Sequence, residues 1–254
     1  MNAKLALAAF VACLLASPAL WQMPGDVHAI SSTDQQLSPD EIIKKLAAKG
    51  SELKTARTRY TYLIEMKLQT ISQADTITGE YRRASQISFD KDGKMKENVY
   101  EERSTIKTFR IGESDIEDLL TIYQFIPDAE TLSNYRLSYV GKERIDEVNT
   151  YVFDAQPIKV PDPKKSAERV LRGRIWVDDI DFQIVKVSGK SLPESRNNRT
   201  PRFETYYQQV GKYWFPAYTS SDDILDFGAG RVKLRMAVEY SNYKQSEENQ
   251  KAKV

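Results

Sequence analysis

Histidine and cysteine are nearly missing from this chain. Its 254 residues hold one of each, His28 and Cys13. Neither sign of charge dominates, with 37 Lys and Arg against 36 Asp and Glu. The one marked apolar run, Leu5 to Leu15, falls short of the ~20 residues a spanning helix needs. No G-x-G-x-x-G fingerprint and no P-loop is present. These shortages close several classes of function. A net charge of +1 with evenly scattered aromatics provides no nucleic-acid footprint. Without a glycine-rich cradle, no nucleotide site is expected. The remaining composition, 29% charged and 41% hydrophobic, is that of an ordinary globular domain.

The two rare residues share an address. Met1-Asn2-Ala3-Lys4 is a short basic start, Leu5 to Leu15 an apolar core, and Pro18 and Pro24 interrupt any helix. Val27-His28-Ala29 has the form of a small-residue cleavage site. Residues 1–29 are therefore expected to be a signal peptide, removed after Ala29, that sends the chain to the periplasm. Cys13 and His28 would leave with it. The mature chain would then have no disulfide, cysteine nucleophile, Ser-His-Asp triad or zinc site. No cofactor or metal is expected, and no enzymatic activity.

Residues 30–37 read as a flexible start. Ser38-Pro39-Asp40-Glu41 is a strong helix signal: a Ser cap, proline at the first helical position, then acids in the first turn. Ile42, Ile43, Leu46 and Ala47 recur at helical spacing, and Leu53 continues the face past Gly50. The spacing predicts a helix over 39–53, loosened at Gly50, with a stripe suited to act as a lid. From Tyr60 the period becomes two: Tyr60, Tyr62, Ile64, Met66 and Leu68 alternate with polar residues. Strands are expected at 77–89 and 95–105, then a short helix over 112–120 capped by Ser114. Further strands are expected at 135–144 and 150–157.

Arg172 to Lys190 reads as a hairpin. Its strands are 172–177 and 182–187, and Asp178, Asp179 and Asp181 form the turn. Those acids lack the glycine and distal glutamate of a calcium loop, so a turn explains them better. Strands at 203–210, 213–225 and 231–243 follow. Residues 245–254 read as a disordered charged tail. Arg196, Arg199 and Arg202 mark a polar loop. The expected fold is mainly β: a curved antiparallel sheet forming an incomplete β-barrel, covered by one long N-terminal helix and a short internal helix.

Several motifs carry a family resemblance. They are Val140-Gly141-Lys142-Glu143 leading to Tyr151-Val152-Phe153, Gly173 to Asp178, Phe182 to Lys186, Trp214-Phe215-Pro216 and Tyr240 to Tyr243. Residues 38–244 resemble the LolA/LolB-type lipoprotein carriers, in particular outer membrane lipoprotein-sorting proteins. The resemblance implies an open barrel whose hollow takes acyl chains, and a carrier or chaperone role. Implied partners are lipid or lipoprotein acyl chains and an envelope membrane protein or lipoprotein, with the chain itself a monomer. Ile43, Leu46, Tyr60, Tyr62, Ile64, Met66, Tyr81, Leu119, Trp176, Ile184, Tyr206 and Tyr218 are the candidates to line the hollow. The same residues would serve equally as plain core. On the same fold, a non-catalytic regulatory or scaffold module acting through protein contacts is the alternative.

The signal-peptide reading has a direct check. N-terminal sequencing of the exported protein is expected to begin at Ile30. A mature form that starts at a lipid-modified Cys13 would show a different signal class.

Overall fold

A computed structural model describes residues 37–166, 168–194, 199–227 and 230–246. The expected signal peptide, Cys13, His28, Arg196 and the tail from residue 247 lie outside the described residues.

Helix α1 runs Pro39–Arg57. The Ser-Pro-Asp-Glu signal works as a capping box. Ser38 N–H donates to Glu41 Oε2 at 2.8 Å, and Glu41 N–H donates to Ser38 Oγ at 3.3 Å. The Ser38 backbone N–H and hydroxyl hold the Glu41 carboxyl below its ordinary value. The helix does not loosen at Gly50. Its buried face is Ile42, Leu46, Gly50, Leu53 and Ala56, so the glycine is part of the packed stripe. A Cβ at Gly50 would overlap the Pro127 carbonyl, which shows why this position is bare. Ile43, expected on the stripe, is only half-buried beside it.

Ten strands follow: β1 Tyr60–Ile71, β2 Ile77–Phe89, β3 Met95–Ser104, β4 Tyr135–Ile145, β5 Val148–Pro157, β6 Val170–Asp178, β7 Ile184–Leu192, β8 Phe203–Val210, β9 Tyr213–Asp226 and β10 Arg231–Gln245. They form one antiparallel sheet in the order β3-β2-β1-β10-β9-β8-β7-β6-β5-β4. The sheet curls but does not close, as the sequence predicts. Its edge strands, β3 and β4, are consecutive in sequence. The segment linking them therefore has to cross the open side, and it carries α2 Glu113–Leu120, a 3-10 turn at Ile122–Gln124 and α3 Ala129–Leu132. Gly173 and Gly189 face each other across β6 and β7, where a Cβ on Gly173 would overlap the Ser188 carbonyl. Side chains there would hold the two strands apart.

Three expectations shift in detail. The cap of α2 is Gly112 rather than Ser114, because the Asp115 carboxylate reaches back to the Gly112 N–H at 2.7 Å. The 3-10 turn and α3 were not expected, since neither has a long enough run to show a helical period. Strand β7 begins at Ile184 rather than Phe182. Asp178 Oδ1 accepts from Ile180 N–H at 2.7 Å and Asp181 N–H at 2.5 Å, which draws Phe182 into the turn with φ 56°. Those bonds account for Asp178 as a turn residue.

One core fills the concave side. It joins Ile42 and Leu46 of α1 to Tyr62, Ile64, Met66 and Leu68 of β1, and to Leu119, Ile122, Tyr123 and Phe125 of the crossing segment.

Gly50→Ala is expected to destabilise the protein by about 3 kcal/mol, the upper part of the overpacking range, because the obstacle is backbone. Urea unfolding checks this. An unchanged midpoint would show that the contact between α1 and Pro127 gives way easily.

Candidate functional site

The crossing segment places polar backbone groups inside an apolar hollow, and each must find a partner. Side chains from the sheet provide them. Thr205 Oγ1 donates to the Tyr123 carbonyl at 2.8 Å, and Tyr207 OH to the Phe125 carbonyl at 2.7 Å. Tyr62 OH donates to Gln124 Oε1 at 2.8 Å, and Gln124 Nε2 returns a bond to the Leu119 carbonyl at 3.0 Å. At the start of the segment, Asp118 is 1% exposed. It accepts from Arg169 at 3.1 and 3.2 Å and from Ser191 Oγ at 2.5 Å. Burial pushes the Asp118 carboxyl above its ordinary value, against the pull of Ser191 and Arg169.

Beyond this plug the hollow stays open. A cavity of about 460 Å³ lies between β1, β9, β10 and the link from β3 to α2. Its walls are Met66 and Leu68 of β1, Leu225 of β9, Leu234 and Met236 of β10, and Tyr123 of the plug. Phe109 stacks on Phe227, with ring centroids 5.1 Å apart, and adds a further apolar side. Arg110, Gly112, Asp115 and Arg199 contribute polar groups. Burial pushes the Asp115 carboxyl up, opposed by the Gly112 N–H and Arg169.

A second cavity, about 620 Å³, lies between the end of α1, the β2–β3 turn and α3. Its lining is far more charged. Lys54 pairs there with Asp128 at 2.6 Å and Glu130 at 3.0 Å, and Arg57, Glu168 and Arg169 also face it. An acyl chain placed there would strip water from these groups, so the smaller cavity suits it better.

The expected lining residues are distributed over both faces of the sheet. Met66 lines the apolar cavity. Leu46, Tyr62, Ile64, Leu119 and Ile184 are buried in the main core, and Ile43 packs at its margin. Tyr60 belongs to a separate cluster with Leu53 and Phe215. Tyr81 is buried, and its hydroxyl donates to Glu102 at 2.7 Å.

Trp176, Tyr206 and Tyr218 lie on the outer face, since their neighbours Ile175, Val177, Thr205 and Thr219 point inward. Lys186 Nζ stands 4.9 Å from the Trp176 ring centroid and 4.8 Å from that of Tyr206. It also pairs with Glu204 at 3.0 Å. Cation–π contact and the neighbouring Val152, Val185 and Trp214 shelter aromatics that would otherwise be wet. The apolar cavity walls that sequence reasoning missed include Leu68, Tyr123, Leu225, Leu234 and Met236. The alternation of Leu234, Met236, Val238 and Tyr240 is the signal that marks the face on β10.

Among the described residues, no cluster of His, Cys, Asp and Glu could hold a metal ion. Within the same residues, no helix is long and apolar enough to cross a membrane.

The Asp118–Arg169 pair makes a sharp test of the plug. Asp118→Ala leaves a buried guanidinium without its carboxylate and is expected to cost about 3–5 kcal/mol. Replacing both residues, as in Asp118→Leu with Arg169→Met, should recover much of that loss. A single-variant cost below about 1 kcal/mol in urea unfolding would show the pair to be wet and weak.

No family model matches the chain, and no curated protein matches it in sequence. It is similar to solved structures. One is a LolA superfamily protein from Nitrosomonas europaea, 14% identical, over 81% of this chain and 94% of that one, with a TM-score of 0.39. Another is a DUF1329 family protein from Desulfovibrio piger, 13% identical over 83% and 95%, with a TM-score of 0.44. A putative outer membrane lipoprotein-sorting protein domain from Vibrio parahaemolyticus is 12% identical over 81% and 94%, with a TM-score of 0.38.

Proposed function

We propose that this chain is an exported envelope protein that binds the acyl chain of a lipid or lipoprotein and carries it without catalysis. The observation that supports this most is the cavity of about 460 Å³ walled by Met66, Leu68, Leu225, Leu234 and Met236. Its volume falls in the ~300–1,000 Å³ range of small-ligand sites. Each methylene moved from water into such walls is favourable by about 0.8 kcal/mol. Transfer would need a competing site on a partner, because no nucleotide motif is present to drive release.

In the alternative reading, a regulatory or scaffold module works through protein contacts. The edge strands favour it. Tyr139 and Val140 on β4, and Val99 and Tyr100 on β3, are exposed large side chains beside unpaired backbone. A filled core would favour that reading further, whereas an open apolar cavity supports binding.

Mass spectrometry of the protein purified from its native compartment is expected to find a co-purified lipid. Met236→Trp places an indole in the cavity. It should lower the affinity for a fluorescent fatty acid at least about tenfold, roughly 1.4 kcal/mol, while the thermal unfolding midpoint holds. Unchanged binding by this folded variant would move the site elsewhere or support the scaffold reading.

A further inference from the structure

The cavity's polar groups are not scattered around it. Arg110 comes from the link between β3 and α2, and Arg199 from the link between β7 and β8. These two segments are far apart in sequence, yet both bring a guanidinium to one apolar chamber. Neither guanidinium has a carboxylate partner among the described residues. Arg199 Nε donates to the Asp226 carbonyl at 3.1 Å, which ties it to the end of β9. Arg110 follows Phe109, whose ring is fixed on Phe227 at 5.1 Å. The Arg199 side chain is thus tied down, and the Arg110 backbone is carried by a stacked neighbour.

Among the described residues that line the cavity the one acid is Asp115, and it is already engaged. Its Oδ2 accepts the Gly112 N–H at 2.7 Å, closing the first turn of α2. The described lining therefore carries two guanidinium charges against one committed carboxyl. An acyl chain alone offers nothing to these guanidiniums. A carboxylate or phosphate does, because the planar fork of arginine matches either group with paired, charge-assisted hydrogen bonds.

We propose that the cavity takes a single-chain amphiphile whose anionic head, a carboxylate or a phosphate monoester, is received by Arg110 and Arg199. Its chain lies against Met66, Leu68, Leu234 and Met236. This rests on the acyl-binding reading above and narrows it to charged, one-chain ligands. A chamber of about 460 Å³ stands in the lower part of the small-ligand range, which suits one chain.

The test compares heads on one chain. cis-Parinaric acid and its alcohol analogue are titrated into the full-length mature protein and into Arg110→Glu/Arg199→Glu. Wild type is expected to bind the acid about ten- to a hundredfold more tightly than the alcohol, the range of charge-assisted hydrogen bonds. The double variant should lose that preference and keep its affinity for the alcohol. Arg110 is exposed and Arg199 half-buried, so the fold should stand, and circular dichroism checks it. Competition by oleate and by oleoyl lysophosphatidic acid then shows which head is preferred; either one displacing the probe better than oleyl alcohol supports the proposal. Equal binding of acid and alcohol by wild type, or full acid affinity in the folded double variant, overturns the anionic-head assignment alone. If neither probe binds wild type, the acyl-binding reading falls as well.

Discussion

The structure depends on the hydrogen bonds that sheet side chains donate into the crossing segment. An open sheet with an apolar concave face must cover it. Here the chain covers it with the link between its own two edge strands. That link is short of regular helix, so its carbonyl groups cannot all be satisfied internally. Thr205 and Tyr207 on β8 supply the missing donors to Tyr123 and Phe125. Tyr62 on β1 reaches Gln124, while Asp118, Arg169 and Ser191 lock the C-terminal half of α2 to β7 and the approach to β6. An unpaired buried group costs about 1–3 kcal/mol, so these bonds hold the segment in register against the sheet.

The plug also explains where empty space remains. It meets the sheet at the level of Tyr62, Thr205 and Tyr207, and α1 packs Leu46 and Ile42 against the same core. Strands β1, β9 and β10 are long, and they extend beyond the level the plug reaches. Leu68, Leu225 and Leu234 on those strands stand opposite the first turn of α2 and the link before it, and the cavity forms among them. None of Ile42, Ile43 and Leu46 lines it. The helix that the sequence suggests as a lid thus packs into the core rather than over the chamber.

Much of this was legible in advance, and what was not has physical reasons. The period of two from Tyr60 to Leu68 announced both strand and buried face, because one side of β1 is wet. Ser38-Pro39-Asp40-Glu41 announced the start of α1 through local chemistry alone. Trp176, Tyr206 and Tyr218 were phased wrongly because β5 to β9 carry large apolar groups on both faces. Alternation then gives two equivalent solutions, and the structure decides by burying Ile175, Val177, Thr205 and Thr219 while Lys186 packs over Trp176 and Tyr206 outside. The 3-10 turn is invisible because its support is tertiary, from donors 82 residues away in sequence, and the four residues of α3 are too few to show a period. Gly50 read as a break because a bare position in a helix normally weakens it. Its reason, the Pro127 carbonyl, comes from another element.

The near-neutral charge of the chain bears on how a ligand would be chosen. At a net charge of +1 there is no long-range field to gather anions, so selection has to be local. The two cavities show two local solutions. In the larger one, Lys54 is already neutralised by Asp128 and Glu130, and any ligand would have to compete with those bonds. In the smaller one Arg199 meets the Asp226 carbonyl and Arg110 is exposed, and the walls behind them are hydrocarbon. A charged head beside a low-polarity chamber interacts more strongly than it would in open water. A chain-bearing anion satisfies both halves of that site at once, whereas a soluble anion leaves the walls empty and a neutral lipid leaves the guanidiniums to water.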